Sequence, residues 1–319
     1  MQRVRLITNP ISGQHSARRR AQLEAVRGVF AASGALVSER ETDGPGSAAT
    51  LARAAVEERC DTVVVCGGDG TVHHALQGLA GTEVALGVIP FGTANALAAS
   101  LGLAGDPVRA ARRLVAARAV RLPVGRIGYR NRQGELRERF FVVAAGVGPD
   151  AWLMAEMDPG LKRRLGYLLY LVDGLRIWAR GGFPLFRVRI DGGEPRLASE
   201  LLAVRVRSFG GAVGALVPGV SLSGERLSLV AFQTQSRWEY LRFVLGAALG
   251  RHSPGGKVER FEAHVVECEP LAEAHGSKGH ARPATLRTEA DGEPLGTVPV
   301  RMDVVADALT LLVPEGAAY

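Results

Sequence analysis

The chain has 319 residues, 47% of them apolar, and a formal net charge of +7, which favours two domains with buried cores over one small domain. Its three cysteines are scattered and its longest apolar stretches are too short to span a bilayer, so we expect a cytoplasmic protein in a reducing compartment. The positive charge favours anionic partners, whereas sparse aromatic residues and the lack of a nucleic-acid-binding motif argue against nucleic acid.

The first part of the chain alternates between short apolar runs and segments with helical spacing. This alternation predicts a doubly wound parallel sheet with helices on both faces, whose ligands lie beyond the carboxyl ends of the strands. The predicted strands are residues 4–8, 35–40, 62–66 and 84–89, and the predicted helices are 17–32, 47–58, 72–79 and 94–101.

Strand-like runs separated by turn signals dominate the second part, which predicts an antiparallel β-sandwich. We therefore expect an α/β fold of two domains, 1–121 and 122–305, with 306–319 able to complete the first. The predicted strands are 120–127, 139–145, 185–190, 201–207, 227–233, 258–268, 285–289 and 297–304, with 308–313 able to close either domain and helices at 161–180 and 238–250.

The stretch VVVCGGDGT, residues 63–71, is a strand followed by a glycine turn and the start of a helix. Free backbone N–H groups and the helix dipole favour an anion at such a junction. A tight turn with no ligand explains the same segment equally well. Three other predicted strand ends, NPISG, ETDGPGS and PFGTAN, are also rich in glycine or hydroxyl groups, which makes an anion site at this rim the stronger interpretation.

The ordered set NPISG, GGDGT and IPFGTAN resembles the diacylglycerol kinase catalytic-domain family, in its bacterial lipid-kinase branch related to sphingosine and ceramide kinases. The segments FVVAAGVGPDA, LGYLLYLVDGL, EADGEP and LTLLVP also fit the order of that family, so the resemblance extends over essentially the whole chain. The resemblance implies an NAD kinase-like nucleotide-binding domain, a lipid-substrate domain, and transfer of phosphate from ATP with Mg²⁺ to a lipid hydroxyl.

The resemblance also assigns site residues. Asp69 is expected to hold Mg²⁺ or to orient the acceptor, although an aspartate there also suits a turn or a helix cap. Asp291, in a DGE turn with Glu293, matches the proton acceptor of the family, although the same letters describe a simple hairpin turn. The expected nucleotide contacts are Asn9, Pro10, Ser12, Gly13, Thr42, Gly67, Gly68, Gly70, Thr71, His74, Gly92, Thr93 and Asn95.

Three departures from the family pattern stand out. His73 and His74 replace an Asn-Glu pair, and we expect a tolerated surface pair, with an anion contact or a pH response as alternatives. Ala96 replaces an aspartate after the GTAN loop. A structural Mg²⁺ loop of the family matches residues 221–230, where Leu222 and Leu227 carbonyls and the Glu225 carboxylate are a weak candidate ligand set, because hard cations need several oxygen ligands.

Residues 161–182 carry five basic side chains around an apolar, aromatic centre, which suits either a helix resting on an anionic membrane surface or a buried helix with basic ends. The function expected is therefore a lipid kinase that contacts the membrane peripherally. Diacylglycerol is the default acceptor, and ceramide or a sphingoid base is the next choice. An NAD kinase-like metabolite kinase and a non-catalytic lipid-binding relative are the alternatives of other classes, and a homodimer is left open.

Overall fold

The computed structural model describes residues 1–10, 17–148, 184–207, 219–236, 238–239, 242, 258–271, 286–317 and 319. The predicted site residues Ser12 and Gly13, the basic segment 161–182 and most of the predicted helix 238–250 lie outside these described residues. Among the residues that are described, we find no helix whose length and apolar content would let it cross a membrane.

The N-terminal part is an α/β domain built on four parallel strands in the order β2–β1–β3–β4, which confirms the predicted fold class. The strand register places Thr8 of β1 beside Cys66 of β3, and Gly67 beside Pro90 of β4. The carboxyl ends of these strands therefore share one rim. The elements are β1 Arg3–Thr8, α1 Ala17–Ala32, β2 Leu36–Glu41, α2 Ser47–Glu57, β3 Thr62–Gly67, α3 Asp69–Leu79, β4 Ala85–Pro90, α4 Ala96–Ser100 and α5 Pro107–Val115.

Burial explains the apolar runs of the central strands. Every residue of β3 and β4 is buried, as expected for parallel strands covered by helices on both faces. The helix α5 was not predicted, although its start has a clear signal. Asp106 accepts hydrogen bonds from the N–H groups of Val108 and Arg109, and Pro107 occupies the first helical position.

The remaining strands form the predicted β-rich domain, with two antiparallel branches that meet at one long strand. One branch has the strand order β12–β11–β10–β7–β14–β15. In the other branch, β13 pairs with β15 and β8, and β8 pairs with β9. In addition, β5 pairs with both β15 and β6. The strands are β5 Arg118–Arg130, β6 Leu136–Phe141, β7 Ala144–Val147, β8 Phe186–Ile190, β9 Arg196–Ala198, β10 Glu200–Val204, β11 Leu227–Phe232, β12 Val258–Ala263, β13 Val265–Pro270, β14 Arg287–Ala290 and β15 Glu293–Val313.

The strand β15 connects the two domains. Its first part pairs with β14 and β13, whereas its last part pairs in parallel with β4, with Thr310 beside Ala85. The predicted strands 297–304 and 308–313 are thus one irregular strand, with Asp307 in the left-handed region at φ 46°. Because β15 runs through both domains, it fixes the β-rich domain against the parallel sheet.

One predicted strand, 139–145, is in fact two. β6 ends at Phe141 and β7 begins at Ala144. The N–H groups of Val142 and Val143 donate to the carboxylate of Asp291 instead of to a neighbouring strand. The strand is therefore interrupted by a side chain that is 149 residues away in sequence.

Candidate active site

Two glycine turns meet at the carboxyl-end rim of the parallel sheet. A Cβ atom added to Gly92, after β4, would lie only 2.5 Å from the Cα atom of Gly68, after β3. The N–H of Phe91 also donates to the carbonyl of Gly67 at 3.0 Å. Only glycine permits such a close approach of two backbones. The rim therefore presents bare main chain beside the N-terminus of α3, a surface suited to phosphate groups.

Asn95 shapes the second of these turns. It adopts a left-handed conformation at φ 50° and precedes α4. Its Oδ1 accepts from the N–H of Gly92 at 2.9 Å, and its Nδ2 donates to the carbonyl of Gly92 at 2.7 Å. Thr93 lies exposed within the loop. The side-chain amide of Asn95 thus stabilises the loop. From the sequence, Asn95 was expected only to contact the nucleotide.

The end of β1 is tied to α3 at the same rim. The Nδ2 of Asn9 donates to the hydroxyl of Thr71 at 3.0 Å, and Arg19 of α1 donates to the carbonyl of Asn9 at 2.7 Å. The guanidinium of Arg19 also lies 5.0 Å from the centre of the Phe91 ring. Burial lowers the pKa of Arg19. Because a guanidinium stays protonated at neutral pH, a positive charge still lies beneath the rim. Sequence reasoning missed Arg19, because nothing in the pattern of α1 distinguishes it from the neighbouring arginines.

Asp69 joins the GGDGT turn to the GTAN loop. Its Oδ1 accepts a hydrogen bond from the N–H of Ala96, the first residue of α4, at 2.7 Å. Asp69 therefore caps α4, and not its own helix α3, whose N-cap residue is Gly68. The side chain is only partly buried at the start of α3, where it faces the region between the two loops.

Asp291 lies in a two-residue hairpin between β14 and β15. Asp291 and Gly292 both have positive φ, 51° and 80°, as a type I′ turn requires. The carboxylate accepts from the N–H groups of Val142, Val143 and Ala144 at 2.8 to 3.2 Å. Asp291 can therefore be both a hairpin-turn residue and a site residue, because the turn directs its carboxylate toward the segment between β6 and β7.

His73 of α3 also contacts the carboxylate of Asp291. Its Nδ1 lies 3.1 Å from the Asp291 Oδ2, and each of the two side chains is only 1% exposed. The expectation that His73 and His74 form a tolerated surface pair is therefore wrong for His73. The 3.6-residue period of α3 turns position 73 toward the β-rich domain, a neighbour that the sequence alone does not reveal.

His74 is half-buried next to this pair. Burial lowers the pKa of His74, and the nearby His73 lowers it further, whereas the carboxylate of Glu293 acts in the opposite direction. The two rings are 5.5 Å apart with an angle of 72° between their planes. His74 is thus kept largely neutral near pH 7 and offers a hydrogen-bonding ring rather than a fixed charge.

Further contacts hold the β-rich domain against α3. A Cβ atom added to Gly70 would lie 2.5 Å from the Oε1 of Glu293, so this carboxylate lies directly over the first turn of the helix. One helical turn beyond His73, the amide of Gln77 donates to the carbonyl of Phe140 at 2.8 Å and accepts from its N–H at 3.0 Å. The GGDGT and DGE motifs are therefore in direct contact.

The expected second metal site does not fit the described residues. The carbonyl of Leu222 accepts from the guanidinium of Arg205 at 2.9 Å, and so does the carbonyl of Gly224 at 3.0 Å. Glu225 is exposed and Leu227 is paired in β11 with β12. Among the residues described, no group of three or more acidic, histidine or cysteine side chains could hold a metal ion. The guanidinium of Arg205 therefore contacts Leu222, one of the two carbonyls that were considered as metal ligands.

Arg205 is a buried cation held by main-chain oxygens. Its side chain is 1% exposed and also donates to the carbonyl of Pro123 at 3.0 Å, so that it joins β5 to the loop before β11. Burial lowers the pKa of its guanidinium to about 10, which leaves it charged at neutral pH. The three carbonyl dipoles replace the counter-charge that a carboxylate would supply.

We predict that Arg205→Met destabilises the protein by about 3 kcal/mol or more, because it leaves buried carbonyl oxygens without donors. Urea unfolding followed by circular dichroism measures the loss. The control is Arg301→Met, since Arg301 is exposed and forms a single ion pair with Glu267 at 2.8 Å and should change stability by less than about 1 kcal/mol. Equal stabilities of the two variants would contradict this interpretation of the loop.

The other predicted nucleotide contacts are distributed around this rim. Thr42 follows β2, and its N–H donates to the carbonyl of Thr8 at 2.8 Å. Pro10 is partly buried after Asn9. The structure therefore brings together the β1, β3 and β4 ends, α3 and the DGE turn, and it adds His73, Gln77 and Arg19 to the residues that sequence reasoning proposed.

Glycine turns at the rim of a parallel sheet, with carboxylates from a β-sandwich domain against the adjacent helix, define a phosphotransferase of the nucleotide-binding α/β class. Residues 3–127 match the diacylglycerol kinase catalytic domain, and residues 141–313 match the YegS C-terminal NAD kinase beta sandwich-like domain. The chain belongs to the diacylglycerol kinase family of bacterial lipid kinases, and it is a kinase.

Named relatives and solved structures agree with this assignment. A diacylglycerol kinase of Mycobacterium tuberculosis is 30% identical over 319 residues, covering 98% of this chain and 96% of the relative. A diacylglycerol kinase of Bacillus subtilis is 28% identical over 254 residues, covering 79% and 80%. A crystal structure of a Bacillus anthracis diacylglycerol kinase superposes with a TM-score of 0.71 at 18% identity, covering 99% and 98% of the two chains. Yeast NADH kinase in complex with NADH gives 0.51 at 12% identity, covering 98% and 83%. The structural likenesses show a shared fold.

Proposed function

We propose that this kinase transfers the γ-phosphate of ATP to the hydroxyl of a neutral membrane lipid, with diacylglycerol as the acceptor. The observation that carries the proposal is the contact of the DGE turn with α3, through His73 and Asp291 at 3.1 Å and through Glu293 over Gly70. This contact puts acidic side chains of the β-rich domain beside the N-terminus of α3, which we assign to phosphate binding. A kinase needs both in one place.

On the nucleotide side, the main-chain surface formed by Gly67, Gly68 and Gly92 is assigned to the phosphates of ATP. Backbone N–H groups stabilise phosphate charge without the steric hindrance of a side chain. Mg²⁺ bound to those phosphates would neutralise their negative charge. We assign Asp69 to this cation, because its carboxylate would otherwise repel the phosphates beside it. Asn9 and Thr71 hold the first turn in place.

On the acceptor side, Asp291 is assigned as the group that orients the lipid hydroxyl and accepts its proton. Three backbone N–H groups hold the Asp291 carboxylate in place. Glu293, which lies over the first turn of α3, is assigned to the same end of the reaction, close to the position of the transferred phosphate.

Contact with an anionic membrane surface is part of the proposal. Its support is the sequence of residues 161–182, where Lys162, Arg163, Arg164, Arg176 and Arg180 flank an apolar centre. Basic side chains near an anionic surface each contribute about 1 kcal/mol of attraction, which salt screens. A lipid with two acyl chains stays in the bilayer, so its kinase must work at that surface.

The test is transfer from γ-labelled ATP to vesicles that contain diacylglycerol, monoacylglycerol, ceramide, sphingosine or phosphatidylglycerol, with NAD as a soluble acceptor. We expect labelled phosphatidic acid, at a rate that rises with anionic carrier lipid and falls with salt. Labelling of ceramide or sphingosine alone would show that this lipid, and not diacylglycerol, is the acceptor. Labelling of NAD alone, or of nothing, would contradict the proposal, and a rate insensitive to both anionic lipid and salt would contradict its membrane part.

A further inference from the structure

We infer that His73 is a positioning residue that holds the Asp291 carboxylate in place. The inference rests on the function proposed above and extends it to a residue that the family resemblance did not assign. The observation is a buried imidazole–carboxylate pair between α3 and the β14–β15 turn, with Nδ1 and Oδ2 3.1 Å apart.

The contacts of the Asp291 carboxylate are of two kinds, backbone N–H groups and one side chain. Val142, Val143 and Ala144 donate through backbone N–H groups, which have a fixed direction and do not titrate. Most of these bonds are to Oδ1, whereas His73 contacts Oδ2. His73 is therefore the one titratable donor among the contacts described for this carboxylate. It sets the position of the oxygen that the backbone constrains least.

The geometry also fixes the proton of His73. The ring nitrogen that faces a carboxylate carries the hydrogen, so Nδ1 is the protonated nitrogen of the neutral ring. The Nδ2 of an asparagine occupies about the same place relative to the backbone as the Nδ1 of a histidine. The family pattern has asparagine at this position, and either residue can donate to Asp291 from it.

The pair couples the two halves of the site. His73 lies in the second turn of α3, whose first turn carries Asp69 and Gly70 at the phosphate end. Asp291 belongs to the hairpin that brings Glu293 over that first turn. A displacement of about 1 Å at a reacting group can lower a rate about 100-fold, so a bond that ties the acceptor carboxylate to the nucleotide-side helix has a large effect on the reaction.

The experiment compares His73→Asn and His73→Leu with wild type in the lipid kinase assay at pH 8. His264→Asn is the control, since His264 is exposed between β12 and β13. We expect His73→Leu to lower kcat about 30-fold or more with the KM for ATP changed less than about 3-fold. We expect His73→Asn to keep kcat within about 5-fold of wild type, and His264→Asn to match wild type.

Nitrogen-15 NMR of the histidine rings gives a readout without substrate. We expect His73 to carry its proton on Nδ1 in the wild type and to lose that tautomer preference in Asp291→Ala. A wild type that phosphorylates no lipid but shows this signature would reject the proposed function and retain the buried pair. A wild-type rate in His73→Leu, a loss of activity in His73→Asn equal to that in His73→Leu, or proton placement on Nε2 would each overturn the inference.

Discussion

Asp291→Asn is expected to lower phosphoryl transfer by at least about 100-fold while ATP binds with nearly unchanged affinity. A positioned proton acceptor contributes about 100-fold to 10,000-fold to a rate, and an amide cannot accept the proton. The phosphate-binding rim is formed by Gly67, Gly68 and Gly92 on other elements, so nucleotide binding should survive. Steady-state kinetics with diacylglycerol and calorimetric titration with a non-hydrolysable ATP analogue measure the two quantities separately.

The chain offers a matched control for this substitution. Asp191 begins the same kind of turn, with φ 47° followed by 71° at Gly192, and its carboxylate accepts from the N–H groups of His264 and Val265. Asp191→Asn therefore makes the same chemical change in the same local structure, away from α3. It should leave the rate within about 2-fold of wild type. Equal activity of Asp291→Asn and wild type would remove Asp291 from the mechanism.

Gly92→Ala is expected to weaken ATP binding about 10-fold or more. The added Cβ would lie 2.5 Å from the Cα of Gly68 and 2.9 Å from the Oδ1 of Asn95. These contacts are too short to be tolerated, and they can be relieved only if the backbone of Gly68 or the amide of Asn95 shifts. The two glycine turns must therefore separate. Separation misaligns the N–H groups that are assigned to the phosphates. Calorimetric titration with the ATP analogue measures the effect.

Gly28→Ala is the control for the glycine experiment. Gly28 lies in the middle of α1, and an added Cβ there would meet nothing within 4 Å. Alanine is favoured over glycine in a helix by up to about 1 kcal/mol, so this variant should bind ATP normally and unfold at the same or a slightly higher temperature. If Gly92→Ala also bound ATP normally, the assignment of the phosphates to this rim would be wrong.

The alternation of strands and helices in the first domain could be predicted because each element depends on its own residues. β3 and β4 are buried and mostly apolar, and Gly68 and Gly92 follow within two residues of their ends. The adjacency of the strand ends then followed from general rules for parallel sheets. The same local logic correctly predicted the hairpin at Asp291.

The features that could not be predicted depend on contacts between distant parts of the chain. The break between β6 and β7 is caused by Asp291, and the burial of His73 is caused by the β-rich domain that covers α3. Arg205 donates to the carbonyl of Pro123, 82 residues earlier in sequence, and to the carbonyl of Leu222, which had been considered as a metal ligand. In each case a polar side chain finds its partner through tertiary structure, and the local pattern shows only that the residue is polar.

The central claim is that the terminal phosphates of ATP bind at the glycine turns of the first domain and face carboxylates of the second. A crystal structure with Mg²⁺ and a non-hydrolysable ATP analogue tests this most directly. We predict phosphate oxygens against the main chain of Gly67, Gly68 and Gly92, with the γ-phosphate on the side of α3 that faces Glu293 and Asp291. A nucleotide bound elsewhere, or a γ-phosphate directed away from both carboxylates, would contradict the claim.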